Sequence, residues 1–378
     1  MPPLTRRPLT HSTGRRKPPS SITTGNYVST QRQAIRSPGL LMCRMPMSFM
    51  PETWLLSAPP EALPVLRPLI EAQRERRPVR VITPADDWQD QLDDVAGVLL
   101  VGNRRQTPRT ALPGPFATAS DGRRVPVGWL PFTNPSDLGC YAAAAAEVHH
   151  RSGSGGPIAL LGQWDDHVTR MIRRSIQILN GDNGAPPVPL FWWTADRIIR
   201  RDLLTAMRIG LGVAMYCGHG RPYGWAGYHG LHTRHLVHAK GRPTGAILSL
   251  TCHTANRHRV GLSFAETITL SGIAAAAFSA VRPTQTVDNW YWGINICEAL
   301  SKNPACTLGE LILNACPPRP EQWDSYRIIG DPLAPLLSAP GAAEACSRVW
   351  APGPDDSPVP PGYLSDFPAA GHFVFTES

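Results

Sequence analysis

Residues 211–220, LGVAMYCGHG, and 245–255, GAILSLTCHTA, decide how this chain is read. In the first, Leu211, Val213, Ala214, Met215 and Tyr216 make a nearly continuous apolar run, and Ala246, Ile247, Leu248 and Leu250 make another in the second. Apolar runs without polar alternation fit strands covered by helices on both faces, the setting of a parallel sheet. Each run ends in a polar loop. If both strands point the same way, His219 and Cys252 emerge together at the carboxyl-terminal edge of one sheet, where open α/β sheets keep their working residues.

That pairing suggests a chemistry. A thiol nucleophile needs a base within reach and backbone donors aimed at the charge that develops on an attacked carbonyl. His219 and Cys252 supply base and nucleophile, and the N–H groups of Gly220 and Cys252 could form an oxyanion hole. Gly220 also permits a close approach by a substrate carbonyl. Against this, a free cysteine is more often a small buried hydrophobe, and a cysteine and a histidine alone do not identify an enzyme.

Working outward, strands are expected at 79–83, 95–102 and 125–130 and a helix at 136–149. After the Gly/Ser run at 152–156 come a strand at 158–162, helices at 168–180 and 197–209, the two runs quoted above, and a buried strand at 273–280. Alternation of strands and helices predicts a parallel sheet with right-handed crossovers. The implied division is a disordered basic leader at 1–50, an α/β subdomain at 51–150, a catalytic subdomain at 151–338 and a Pro/Gly-rich tail at 339–378.

The net charge of +8 over 378 residues looks at first like a nucleic-acid signal. It is concentrated in the leader, where residues 1–50 hold eight Lys or Arg and no acid, leaving 29 basic against 29 acidic side chains in the rest. The folded body is therefore expected to bind no nucleic acid. No apolar stretch reaches the roughly eighteen residues of a membrane span. The eight cysteines are spread singly, with no CxxC pair, so a reducing cytoplasm is the expected location. Cys217, Cys252 and His253 lack a second ligand pair, and no metal or cofactor is expected. The series His229, His232, His235 and His238 reads as one face of a solvated surface helix.

Six ordered blocks resemble the catalytic domain of gingipain-type cysteine peptidases, in the caspase-like clan that also holds the CHAT domains. They are DDVAGVLLVGNRRQTP, RRVPVGWLPFTNPSDL, GLGVAMYCGHGRPYGW, GAILSLTCHTA, SFAETI and SYRIIGDPLAPL. The resemblance implies a caspase-like three-layer α/β sandwich with a mostly parallel sheet, preceded by a smaller α/β subdomain. It makes Cys252 the nucleophile and His219 the general acid/base, 33 residues apart, and puts Trp225 on the substrate side. In GQWDDHVTRMI it points to Asp165 or Asp166 as the floor of a pocket for Arg or Lys; a plainer role for either is capping the helix that follows. Asn103 and Trp129 depart from the family pattern. The implied partner is a protein or peptide substrate, and the further resemblance to bacterial caspase-like proteases of antiphage defence adds a gasdermin-like pore former as a candidate. The alternative reading is a catalytically idle, caspase-like interaction module.

Overall fold

The computed structural model describes residues 52–349 apart from 153–156, 182–183, 185–187, 237–240 and 318–319. The leader expected at 1–50 and most of the tail expected at 339–378 lie outside the described residues. Among the described residues the strands are β1 Thr53–Ser57, β2 Val79–Ile82, β3 Val95–Asn103, β4 Phe116–Thr118, β5 Arg124–Phe132, β6 Ile158–Gly162 and β7 Leu190–Thr194. They continue with β8 Val213–Cys217, β9 Gly220–Arg221, β10 Gly224–Trp225, β11 Leu231–His232, β12 Thr244–Leu250, β13 Ala274–Ala280 and β14 Tyr326–Gly330.

One large sheet runs in the order β2-β1-β3-β5-β14-β13-β12-β8-β6-β7, with β4 paired to β5 at the side. Every neighbouring pair along that order is parallel except β13 with β14. The sheet is thus two parallel blocks running in opposite directions and joined at one antiparallel seam, rather than a single parallel set. The reason is the path of the chain: its last strand returns to pair with β5 of the first block. Two glycines admit it. A Cβ at Gly128 would lie 2.0 Å from the Gly330 carbonyl oxygen, and Gly330 itself has φ +92, with its own added Cβ 2.4 Å from the Ala275 carbonyl oxygen.

Helices cover both faces, as the apolar runs require. Leu66, Tyr141, Met171 and Trp292 bring the helices Leu63–Arg74, Gly139–His149, Asp166–Leu179 and Thr286–Lys302 onto one face. Leu203, Phe264 and Cys346 bring Arg200–Ala206, Phe264–Leu270 and Ala342–Val349 onto the other. β12 and β13 are buried along their whole length. Each fully buried leucine or phenylalanine contributes about 1.5–3 kcal/mol to such a core. Residues 51–150 hold the strands of the first block except β14, and the rest come from beyond Ile158. The helix Ala342–Val349 packs a segment read from sequence as tail.

Just past β14, Asp331 is fully buried and ties three separate elements together. Its Oδ2 takes hydrogen bonds from Gln73 Nε2 at 2.7 Å and lies 2.6 Å from His149 Nε2; its Oδ1 accepts from Trp54 Nε1 at 3.2 Å and from the Leu333 N–H at 3.0 Å. Asp331 and His149 have no exposed side-chain surface. Removing one partner of a buried charged network leaves the rest desolvated and unpaired, which costs about 3–5 kcal/mol. Asp331→Ala should lower the unfolding free energy in urea by about that much, and Asp331→Asn, which keeps the shape and some of the bonds, by less.

Candidate active site

β8 and β12 are parallel neighbours, with Cys217 paired to Leu250. Two residues beyond each partner stand His219 and Cys252. Paired strands lie about 4.8 Å apart, so the register brings both residues off the same edge at the same level. The loops also touch: a Cβ at Gly220 would lie 2.5 Å from Thr251 Oγ1 and 2.6 Å from the Cys252 carbonyl oxygen.

His219 is held through its backbone. Gln163, the first residue after β6, accepts from the His219 N–H at 2.9 Å through Oε1, and its own N–H donates to the Cys217 carbonyl at 3.0 Å. The His219 carbonyl accepts from the Tyr216 hydroxyl at 3.1 Å and from the Ala226 N–H at 2.9 Å. Burial pushes the Tyr216 phenol well up, so it remains a donor. The imidazole itself is left exposed at the edge.

Cys252 is half-buried, and its Sγ accepts from the Thr284 N–H at 3.3 Å. The Thr284 carbonyl and hydroxyl oxygens each lie 3.5 Å from the sulfur. The loop after β13 therefore fixes the thiol from the side opposite His219's strand. His253 follows with φ 62, a left-handed conformation that turns the chain sharply after the thiol. Burial first, and then the charge of His258, hold the His253 imidazole below its ordinary pKa.

The two N–H groups expected to form an oxyanion hole, those of Gly220 and Cys252, can be followed in the hydrogen-bond pattern. Because Ala226 N–H bonds the His219 carbonyl, the next pair of the β9–β10 ladder, Gly220 with Trp225, is a non-hydrogen-bonded one. The Gly220 N–H is thereby left free of that ladder. The Cys252 N–H has no partner among the described residues.

Trp225 is not on the substrate side. It is 1% exposed, stacked on Tyr216 at 4.4 Å and against Phe264 at 5.1 Å, with Nε1 donating to Ser249 Oγ at 3.0 Å. It braces the wall between β8 and β12 and has no free face for a ligand. Asp165 caps the helix Asp166–Leu179, its Oδ1 accepting from the His167 N–H at 2.9 Å and the Val168 N–H at 3.3 Å. Asp166 is exposed in the first turn. The residue before this pair, Trp164, is 58% exposed, next to the glutamine that holds His219.

Cys217 faces the core, where burial pushes its thiol well above the ordinary range. The histidine series is not one helical face. Tyr228 and His229 are left-handed, His232 is in β11, His235 is in the short helix Thr233–Leu236, and His238 lies outside the described residues. Sequence reading missed Gln163 and Thr284. Their only signal was position, just past the carboxyl ends of strands flanking β8 and β12.

Residues 188–337 match the family model described as peptidase family C25, a segment that contains both His219 and Cys252. No curated protein matches the chain in sequence. Similar solved structures include one described only as a protease, with TM-score 0.59 and 14% identity over 76% of this chain and 79% of that one. The Arg-specific cysteine proteinase gingipain R gives 0.60 and 15% over 76% and 78%, and the complex of pro- and mature domains of Porphyromonas gingivalis RgpB gives 0.58 and 15% over 75% and 79%. At these identities the structures show the fold, a caspase-like α/β sandwich, and the family match shows that the segment 188–337 is similar to peptidase family C25.

The bracing role of Trp225 predicts that Trp225→Phe, which strands the buried Ser249 hydroxyl, lowers stability by about 1–3 kcal/mol in denaturant titration while leaving KM unchanged. A raised KM at unchanged stability would put the ring in contact with substrate. Gly220→Val should lower kcat far more than it raises KM, because the added branch displaces the Cys252 carbonyl and blocks the N–H.

Proposed function

We propose that this protein is a cysteine endopeptidase working through a Cys252/His219 dyad. The observation that carries the reading is the equal register of the two residues beyond paired strands, within the segment that matches peptidase family C25. His219 takes the proton of the Cys252 thiol, and the thiolate attacks the scissile carbonyl. The oxygen, now negative, receives the N–H groups of Gly220 and Cys252. His219 returns the proton to the leaving amine, and water, activated by the same imidazole, hydrolyses the acyl-enzyme.

For the residue before the cut, we favour Arg or Lys. The support is Trp164, whose exposed ring offers a face to a cation, and Asp166, whose carboxylate remains after Asp165 is committed to its helix cap. At the level of partners, a protein substrate in a reducing cytoplasm fits seven free cysteines among the described residues, one of them the proposed nucleophile. A gasdermin-like pore former cleaved in antiphage defence is the specific form of that proposal, and it rests on the sequence resemblance alone. Among the described residues no helix is long and apolar enough to cross a membrane.

The test is hydrolysis of a peptide library by the full chain. Cys252→Ala and His219→Ala should each abolish turnover with native circular dichroism; normal turnover in either would remove the dyad. Asp166→Asn should lower kcat/KM on Arg and Lys peptides by roughly tenfold, the value of a charged hydrogen bond. Asp165→Ala should instead cost about 1 kcal/mol of stability with preference unchanged. A wild-type preference for acidic or small residues would eliminate the basic pocket and leave the dyad. Coexpression with a gasdermin-like protein, read by mass spectrometry of its fragments, tests the partner.

A further inference from the structure

A cleft of about 1120 Å³ opens away from the dyad, at the carboxyl ends of β1, β2, β3 and β5. That is the position at which parallel sheets bind ligands, here in the block that runs opposite to the catalytic one. Its wall is the end of β3 and the loop after it, which contribute Asn103, Arg104, Arg105 and Gln106. Val101 and Phe132 give it an apolar base, and Glu61 is its one carboxylate against two guanidiniums. We propose that this cleft binds a small organic anion bearing phosphate or carboxylate groups, and that the bound anion shifts the loop carrying Cys252.

The connection to the nucleophile is physical. Gly261, from the segment between Cys252 and Ser263, lines the same cleft, and a Cβ placed there would lie 3.8 Å from Arg104 Nη2. Arg257, in that segment, donates through Nη1 to the Arg104 carbonyl. Its Nε reaches both oxygens of the buried Glu266, at 3.0 and 2.8 Å. Arg257 thus clamps the segment between the cleft's wall and the helix Phe264–Leu270. The same segment holds two non-glycine residues in the left-handed region, His253 at φ 62 and Arg259 at φ 59. A segment strained just after the thiol and again at Arg259, and joined to the cleft's wall through one guanidinium, changes shape when that anchor moves. An anion that draws the Arg104 and Arg105 side chains inward moves that anchor.

The binding half of this proposal is independent of the peptidase reading, and the coupling half needs only that Cys252 is a reactive thiol. Two probes distinguish the ligand's chemistry: inorganic pyrophosphate for phosphate and citrate for carboxylate. Calorimetric titration of the full chain should show saturable binding of at least one, weakened tenfold or more in the Arg104→Ala/Arg105→Ala double variant. That variant keeps the Arg104 carbonyl and so the Arg257 clamp. At saturation, iodoacetamide alkylation of Cys252, followed by peptide mapping, should change rate threefold or more in the wild type and not in the double variant. Arg257→Lys should bind the anion normally but lose the change in alkylation; if it fails to fold, the double variant alone decides. Failure of both probes to bind, or equal binding in the double variant, overturns the site. Binding without a change at Cys252 overturns the coupling. Since neither readout uses turnover, loss of the peptidase reading leaves these outcomes intact.

Discussion

The antiparallel seam between β13 and β14 is the constraint on which the rest of the molecule depends. β14 comes last among the strands, yet it lies between β5 and β13 and so joins the two parallel blocks. Without it, β5 and β13 would each expose an edge of unpaired N–H and C=O groups. The seam is locked just past the strand by Asp331, whose carboxylate binds Trp54 of β1, Gln73 of the first long helix and His149 at the end of another. A buried carboxylate in a network of this kind specifies one arrangement, because any other leaves the charge unpaired.

The catalytic edge inherits its accuracy from that seam. β13 pairs with β12, β12 with β8 and β8 with β6, so the loops carrying Thr284, Cys252, His219 and Gln163 stand in a row set by register. A slip of one residue at β8 against β12 would turn His219 to the other face and away from Cys252. Full burial of both strands makes such a slip expensive, since it would drive the wrong set of side chains into each helical layer.

Much of this edge was legible in the sequence, for a definite reason. β8, β12 and β13 are apolar on both faces, so their runs are uninterrupted and end abruptly at polar residues. β1 and β7 were not legible: TWLLS is short and sits between prolines, and LFWWT follows a Gly/Pro stretch that reads as loop. The direction of β14 was hidden as well, because nothing in YRIIG states which neighbour it pairs with or which way. Trp225 was misread as a substrate contact because a tryptophan beside a catalytic loop looks the same in sequence whether it faces the cleft or braces the wall. Gln163 and Thr284 act through an amide oxygen and a backbone N–H, and such roles carry no residue signature.

The parts of the site share a property that bears on divergence. The oxyanion donors proposed above are the backbone N–H groups of Gly220 and Cys252. The thiol is fixed by the Thr284 N–H, and His219 is fixed by bonds to its own N–H and carbonyl. The side chains that take part are few: the imidazole, the sulfur, and the Gln163 amide and Tyr216 hydroxyl that hold His219. Backbone positions are set by strand register and by the absence of a Cβ at Gly220, and neither depends on the identity of most residues. An edge built this way tolerates replacement of many residues around it, provided that the sheet order and these few side chains remain. Trp164 and Asp166, by contrast, are exposed side chains that no strand register holds in place, so that corner of the edge is the part most free to change.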